Sequence, residues 1–124
     1  MITYYTKEGK LTCTYIIYMP FNNLHREDGP AIEYSNGTKA WYVNGVRHRI
    51  NGPAVTKHNG IKEWYQYGKR HRLDGPAVIF KSGHKKWYIN GKEIDTKKVE
   101  TWIKLNHINL KTKQHQALFM LRFG

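Results

Sequence analysis

The amino-acid sequence predicts a mainly β protein: a single elongated antiparallel sheet of stacked 23-residue β-hairpin repeats with a short C-terminal helical segment. Three observations carry this expectation. His25, His48 and His71 are each followed by Arg and then, in register, by Gly29-Pro30-Ala31, Gly52-Pro53-Ala54 or Gly75-Pro76-Ala77. Eleven residues after each Pro comes a Trp-Tyr pair (Trp41-Tyr42, Trp64-Tyr65, Trp87-Tyr88), and three residues beyond each Tyr comes Gly45, Gly68 or Gly91. After Glu93 the β-type pattern gives way to helical spacing. Self-similarity at a fixed period marks a repeat architecture, in which each unit buries its apolar surface against its neighbours.

Turn chemistry orders the elements within a repeat. The first strand begins at the Ala after Pro, since Pro lacks an N–H and is tolerated only at a strand start or edge, and it runs into Asn36-Gly37, Asn59-Gly60 or Ser82-Gly83. The second strand carries the Trp-Tyr pair and ends at Asn44-Gly45, Tyr67-Gly68 or Asn90-Gly91, where Gly supplies the positive φ of a tight hairpin turn. Alternation puts Trp41, Trp64 and Trp87 on one face with Val43, Gln66 and Ile89, and Tyr42, Tyr65 and Tyr88 on the other. The Trp column is expected in the core. The Tyr column suits either a half-buried packing role or a platform on which bases stack.

The chain reads as one domain, residues 1–124, in three parts. Residues 1–23 form a degenerate N-terminal hairpin around Glu8-Gly9-Lys10, residues 24–94 the three full repeats, and residues 95–124 a helical cap. In the cap, Asp95 and Thr96 suit an N-cap and Val99, Trp102, Ile103 and Leu105 form an apolar stripe. A second helix starts near Thr112, with Ala117, Leu118 and Leu121 expected inward. Such helices would cover a sheet face or the last hairpin and block edge-to-edge pairing, while an open edge would allow a homodimer.

Charge is distributed unevenly. Residues 1–46 are neutral, whereas residues 47–124 hold 17 basic against 5 acidic side chains and carry the whole net charge of +12. That asymmetry predicts an anionic partner, set against the plainer reading of a Lys-rich solvated surface. Cys13 is the only cysteine, the N-terminus lacks the apolar core of a signal peptide, and the apolar runs Tyr15 to Met19 and Ala117 to Met120 are too short to span a bilayer. A cytoplasmic protein without a membrane partner, disulfide, metal or cofactor is therefore expected.

The candidate binding residues are Arg47, Arg49, Lys69, Arg70, Arg72, Tyr42, Tyr65 and Tyr88. In an extended strand the outer arginines of Arg47-His48-Arg49 and Arg70-His71-Arg72 lie on one side, so two repeats could present four guanidiniums to phosphate or carboxylate. Arg49 and Arg72 follow the repeat register and are equally suited to pairing within turns. The three repeated His most simply bond a turn carbonyl in each unit. No nucleophile elbow, phosphate loop, carboxylate pair or metal-ligand spacing occurs, so no catalytic residue is assigned and no enzymatic activity is expected.

The segment Trp41-Tyr-Val-Asn-Gly-Val-Arg-His, followed by Gly52 and Gly60, resembles the MORN repeat over residues 25–94. The HRxxGPA version seen here is similar to MORN-variant repeats of small phage and bacterial proteins, some of them antitoxins, and the Trp102 to Gly124 ending is similar to the helical tail of such phage proteins. The resemblance implies a binding module. Together with the charge, it predicts non-catalytic binding of nucleic acid or a nucleic-acid-bearing host complex, as a phage-encoded modulator in the host cytoplasm. The alternatives are an inhibitor or antitoxin gripping an acidic or nucleic-acid-mimicking enzyme surface, and capture of a small nucleotide.

Overall fold

The computed structural model describes residues 1–16 and 19–124; Ile17 and Tyr18, part of the Tyr15 to Met19 apolar run, lie outside them. The N-terminal hairpin joins β1 (Ile2–Thr6) to β2 (Gly9–Cys13), and a 3-10 turn at Phe21–Asn23 leads into the repeats. The first repeat supplies β3 (Ile32–Glu33), β4 (Lys39–Ala40), β5 (Tyr42–Val43) and β6 (Val46–Arg47). The second supplies β7 (Val55–Thr56), β8 (Lys62–Glu63), β9 (Tyr65–Gln66) and β10 (Lys69–Arg70). The third supplies β11 (Val78–Ile79), β12 (Lys85–Ile89) and β13 (Lys92–Ile94), followed by α1 (Thr96–Leu105) and α2 (Lys113–Phe123).

Every pairing is antiparallel, and nine strands form one sheet in the order β13-β12-β11-β8-β7-β4-β3-β1-β2, so the expected array of hairpins is present. One departure matters. In the first two repeats the second strand breaks at the Trp, and the residues beyond it form separate ribbons, β5–β6 and β9–β10. The reason is that Trp41 donates its N–H to Ala54 O and Trp64 to Ala77 O, tying each Trp to the next repeat, while the following Tyr pairs inside its own ribbon. Successive ribbons hydrogen-bond at their ends, Arg49 N–H to Tyr65 O and Gly68 N–H to Arg47 O. The first two repeats thus build two connected strips, with the chain passing from one to the other at Trp41 and Trp64.

That crossing settles the two aromatic columns differently from the alternation argument. Tyr42, Tyr65 and Tyr88 are buried, at 7%, 7% and 8% exposure, so their rings are core and not open stacking platforms. Trp41 and Trp64 are only half-buried, because the strand turns at them and their outer faces are covered by arginine; Trp87 alone of the three is fully buried. Ala31, Ala54 and Ala77, directly after the prolines, have no exposed surface, which explains why the smallest side chain with a Cβ recurs there.

The N-terminal unit repeats the same geometry on a different spacing. Tyr5 donates its N–H to Ala31 O and accepts from His25 N–H, as Trp41 does with Ala54 and His48, and Arg26 stacks on Tyr5 at 3.9 Å. Tyr5 stands where a Trp would. The β1–β2 turn and the segment after it lie between Tyr5 and His25, so the period does not reveal the equivalence.

In the cap, Asp95 Oδ1 accepts from Lys98 N–H and Thr112 Oγ1 from His115 N–H, so both helices are capped at the expected residues. Both pack on the Trp face of the last repeat: Trp87, Ile89, Ile94, Val99, Leu110 and Phe119 form one buried cluster. Asp95 falls one period after Arg72, so no arginine is available to cover Trp87; Phe119 takes that place, edge-on at 5.6 Å. The inward face of α2 is therefore Phe119 with Phe123 beside it, while Leu118 and Leu121 are exposed (45% and 83%) and Ala117 faces solvent. Leu105 likewise ends on the outside of α1.

Candidate anion-binding surface

The arginines after each His are built into the repeat. Arg26, Arg49 and Arg72 donate Nη1–H to the carbonyls of Pro30, Pro53 and Pro76, and Arg49 and Arg72 lie flat over Trp41 and Trp64 at 4.0 and 3.9 Å. A Cβ on Gly29, Gly52 or Gly75 would stand 2.6 to 2.9 Å from the guanidinium carbon. Only Gly leaves room for the cation between the ring and the turn. Arg26 and Arg72 complete the cradle through Nε–H to Asp28 (3.0 Å) and Asp74 (2.7 Å). Burial opposes ionisation of Asp74, but the Arg72 hydrogen bond and the positive charges of Arg72 and Lys111 outweigh it and hold the carboxyl below its ordinary range.

Arg47 and Arg70 engage other rings. Arg47 donates to the hydroxyls of Tyr42 and Tyr65, and Arg70 donates to Glu63 at 3.0 Å and lies over Tyr65 and Tyr88 at 5.8 and 5.4 Å. The two arginines of each triplet therefore separate, one to the Tyr column and one to the Trp column, and the four guanidiniums do not form a single patch. The extended-strand argument fails because the chain turns at Arg49 and Arg72 into the Gly-Pro segment. Lys69 is exposed, with its aliphatic stem over Gly91.

The repeated histidines bond a turn N–H and not the turn carbonyl expected from the sequence. His25, His48 and His71 accept at Nδ1 from the N–H of Asn44, Tyr67 and Asn90, at 3.0, 3.1 and 2.9 Å. These donors sit at the first position of the ribbon turns, with φ near +50°. Each His is thereby the clasp between one repeat and the next, and the bond needs an unprotonated Nδ1. Burial of His71 lowers its pKa below the ordinary imidazole value, which favours that form.

A further cationic surface, outside the residues singled out from the sequence, crosses the main sheet. Cross-strand register places Thr3, Glu33, Lys39, Thr56, Lys62, Ile79 and Lys85 in one row across the main sheet. Directly opposed residues share a face, so Lys39, Lys62 and Lys85 project together, two strands or roughly 10 Å apart. All three are exposed, and none enters an ion pair among the described residues. Their recurrence every 23 residues was the available signal. The adjacent row, Ile32, Ala40, Val55, Glu63 and Val78, is buried, and its single carboxylate is neutralised by Arg70 and, at 3.8 Å, by Lys57.

Two grooves of about 560 Å³ each flank the Arg49-Ile50-Asn51 turn, one reaching Trp41 and Tyr67, the other Trp64 and Lys113. Among the described residues no group of three or more His, Cys, Asp or Glu side chains is placed to hold a metal, and no helix is long and apolar enough to cross a membrane. Comparison of the chain with protein families, curated proteins and solved structures finds no match.

Proposed function

We propose that the protein is a non-catalytic binding module, of the MORN-like kind its repeats resemble, that engages nucleic acid through the exposed face of its main sheet. The observation that carries the reading is the row Lys39, Lys62 and Lys85: flexible, unpaired ammonium groups at regular spacing on a surface whose only carboxylate in register is Glu33 at the neutral end. Phosphate contacts by such groups supply affinity without sequence readout, and they make binding strongly salt-dependent through counterion release. A cytoplasmic site of action belongs to the same proposal. The test is fluorescence anisotropy with a labelled oligonucleotide over a salt series. Replacing Lys39, Lys62 and Lys85 together by Gln should reduce the slope of log K against log salt by about 2 for a single strand, at roughly 0.7 per phosphate contact. No measurable association at low salt, or an unchanged slope in the triple variant, rejects the reading.

A second reading, an inhibitor that grips an acidic protein surface, is favoured by one observation: Leu105, Leu118 and Leu121 are exposed on the cap helices, beside Lys97, Lys98, Lys104 and Arg122. A complex formed through that apolar surface would be less sensitive to salt.

A further inference from the structure

The middle repeat departs from its neighbours at two positions that meet at one groove. In the first and third repeats the cradled arginine is neutralised by a carboxylate two residues on, Asp28 or Asp74; in the second that residue is Asn51, and Arg49 has no ion-pair partner among the described residues. Arg49 is held by Trp41 and the Pro53 carbonyl alone, with its Nε and Nη2 edge unbonded, and it lines the grooves on both sides of its turn. Burial without a counter-charge lowers the pKa of Arg49.

The other departure is Tyr67. The first position of the ribbon turn has φ near +50°, a conformation that suits Asn44 and Asn90 in the neighbouring repeats and disfavours a bulky side chain. Tyr67 adopts it and recovers no burial: its ring is 75% exposed, 4.4 Å from the His48 ring and at the mouth of the groove that Arg49 lines. Ile50, 74% exposed, lies on the same rim. A strained, exposed aromatic whose ring contact is His48 thus shares a groove with a guanidinium that lacks the carboxylate of its neighbours. Observed strain at an exposed site is a pointer to a ligand.

We infer that this groove holds one nucleotide unit of a single strand, with a phosphate on the free edge of Arg49 and an unpaired base against Tyr67. Arg presents a planar fork that matches phosphate oxygens, and base stacking on an exposed aromatic is the common device of single-strand binders. In a duplex both faces of each base are already stacked, so the site confers preference for single strands. Glu27 also lines the groove; its carboxylate is solvent-exposed, with Oε1 3.8 Å from His25 Nε2. The inference rests on the nucleic-acid reading above and adds to it a site and a strand preference.

The test uses two substitutions that restore the residues of the neighbouring repeats and so favour folding, Asn51→Asp and Tyr67→Asn. Anisotropy is measured with a labelled fifteen-residue oligothymidylate and with a duplex of equal length at fixed salt. Each variant should bind the single strand about tenfold more weakly, the loss of one stacked base or one phosphate contact, and Tyr67→Phe should retain wild-type affinity. Duplex affinity, which draws on the lysine row, should be unchanged. Equal wild-type affinity for both probes, or single-strand binding indifferent to Asn51→Asp and Tyr67→Asn, overturns this inference and leaves the broader proposal standing. Failure of the wild type to bind either probe overturns both.

Discussion

Removing Arg70 isolates the one buried carboxylate of the sheet. Glu63 is 3% exposed, its Oε1 accepts from Arg70 Nη2 at 3.0 Å, and Lys57 Nζ stands 3.8 Å from Oε2. Breaking a buried pair by deleting one partner costs about 3–5 kcal/mol. Three features lower that figure for Arg70→Ala. The Arg70 side chain is 39% exposed, so solvent screens the pair; Lys57 remains; and Arg70 Nε is itself buried without an acceptor, so the native arrangement is not fully satisfied. A cost of about 2 kcal/mol follows. Glu63→Ala should cost less, within about 1 kcal/mol, because it removes the charge and its desolvation together. The first repeat shows that the lattice accepts this change: Ala40 occupies the equivalent place, and Arg47 there reaches two tyrosine hydroxyls instead.

The double variant should then be scarcely less stable than Glu63→Ala alone, giving a coupling of about 1.5 kcal/mol. Urea and thermal unfolding of the four proteins at pH 7 measure it, with Arg70→Ala melting about 6–10 °C below the wild type for a domain of this length. Additive effects, or a Glu63→Ala variant less stable than Arg70→Ala, would refute the argument that Arg70 serves to neutralise Glu63.

Two further predictions concern the cap and the clasps. Phe119→Ala should cost about 3–5 kcal/mol, since Phe119 is fully buried between Trp87 and Trp102, whereas Leu121→Ala should stay within about 0.5 kcal/mol; thermal melts separate them, and equal losses would mean that α2 packs by a different face. His71 has a lowered pKa in the folded chain, so the unfolded chain takes up the proton first as pH falls below about 6.5, and stability contributed by the clasp is present above that value and lost as pH drops toward the folded pKa. Melting temperature should therefore fall between pH 7 and pH 5 and fall less in His71→Asn; an identical pH dependence in the two proteins would show that His71 is not the titrating clasp.

The 23-residue register, the hairpin turns and both helix caps could be read from the sequence because each rests on local chemistry: Gly at positive φ, Pro at a strand start, Asp95 and Thr112 at N-caps. The faces could not. Period-two alternation assumes an unbroken strand, and at Trp41 and Trp64 the backbone leaves one ladder for another, an event set by the N–H bonds to Ala54 and Ala77 in the next repeat. The phase of α2 was hidden because Ala117-Leu118-Phe119-Met120-Leu121 is apolar on every side, so only the gap over Trp87 selects Phe119. The single patch of four guanidiniums is absent for a related reason: the aromatic ring and the Gly-Pro turn of each repeat form a socket for the guanidinium, which is the turn-pairing alternative that the register of Arg49 and Arg72 also allowed.

In a repeat protein, a buried residue that holds register is explained by the contact each unit makes with the next, so beside an exposed row such as Lys39, Lys62 and Lys85 a second sign of function is a break in register. The breaks here are of two kinds. Ile94 and Asp95 replace the His and Arg of a further unit, and both are repaid in place: Ile94 joins the cap core and Asp95 caps α1. Glu63, where the neighbouring repeats have Ala40 and Lys86, is likewise matched by Arg70. Asn51 is not repaid by an ion pair among the described residues, nor Tyr67 by burial. One leaves Arg49 without its carboxylate and the other holds a bulky ring at positive φ in solvent, and both border the same groove. Two uncompensated departures at random sites would be unremarkable, but at one groove they have a common explanation, which is that the missing contacts are made by a bound molecule with an anionic group and a flat face.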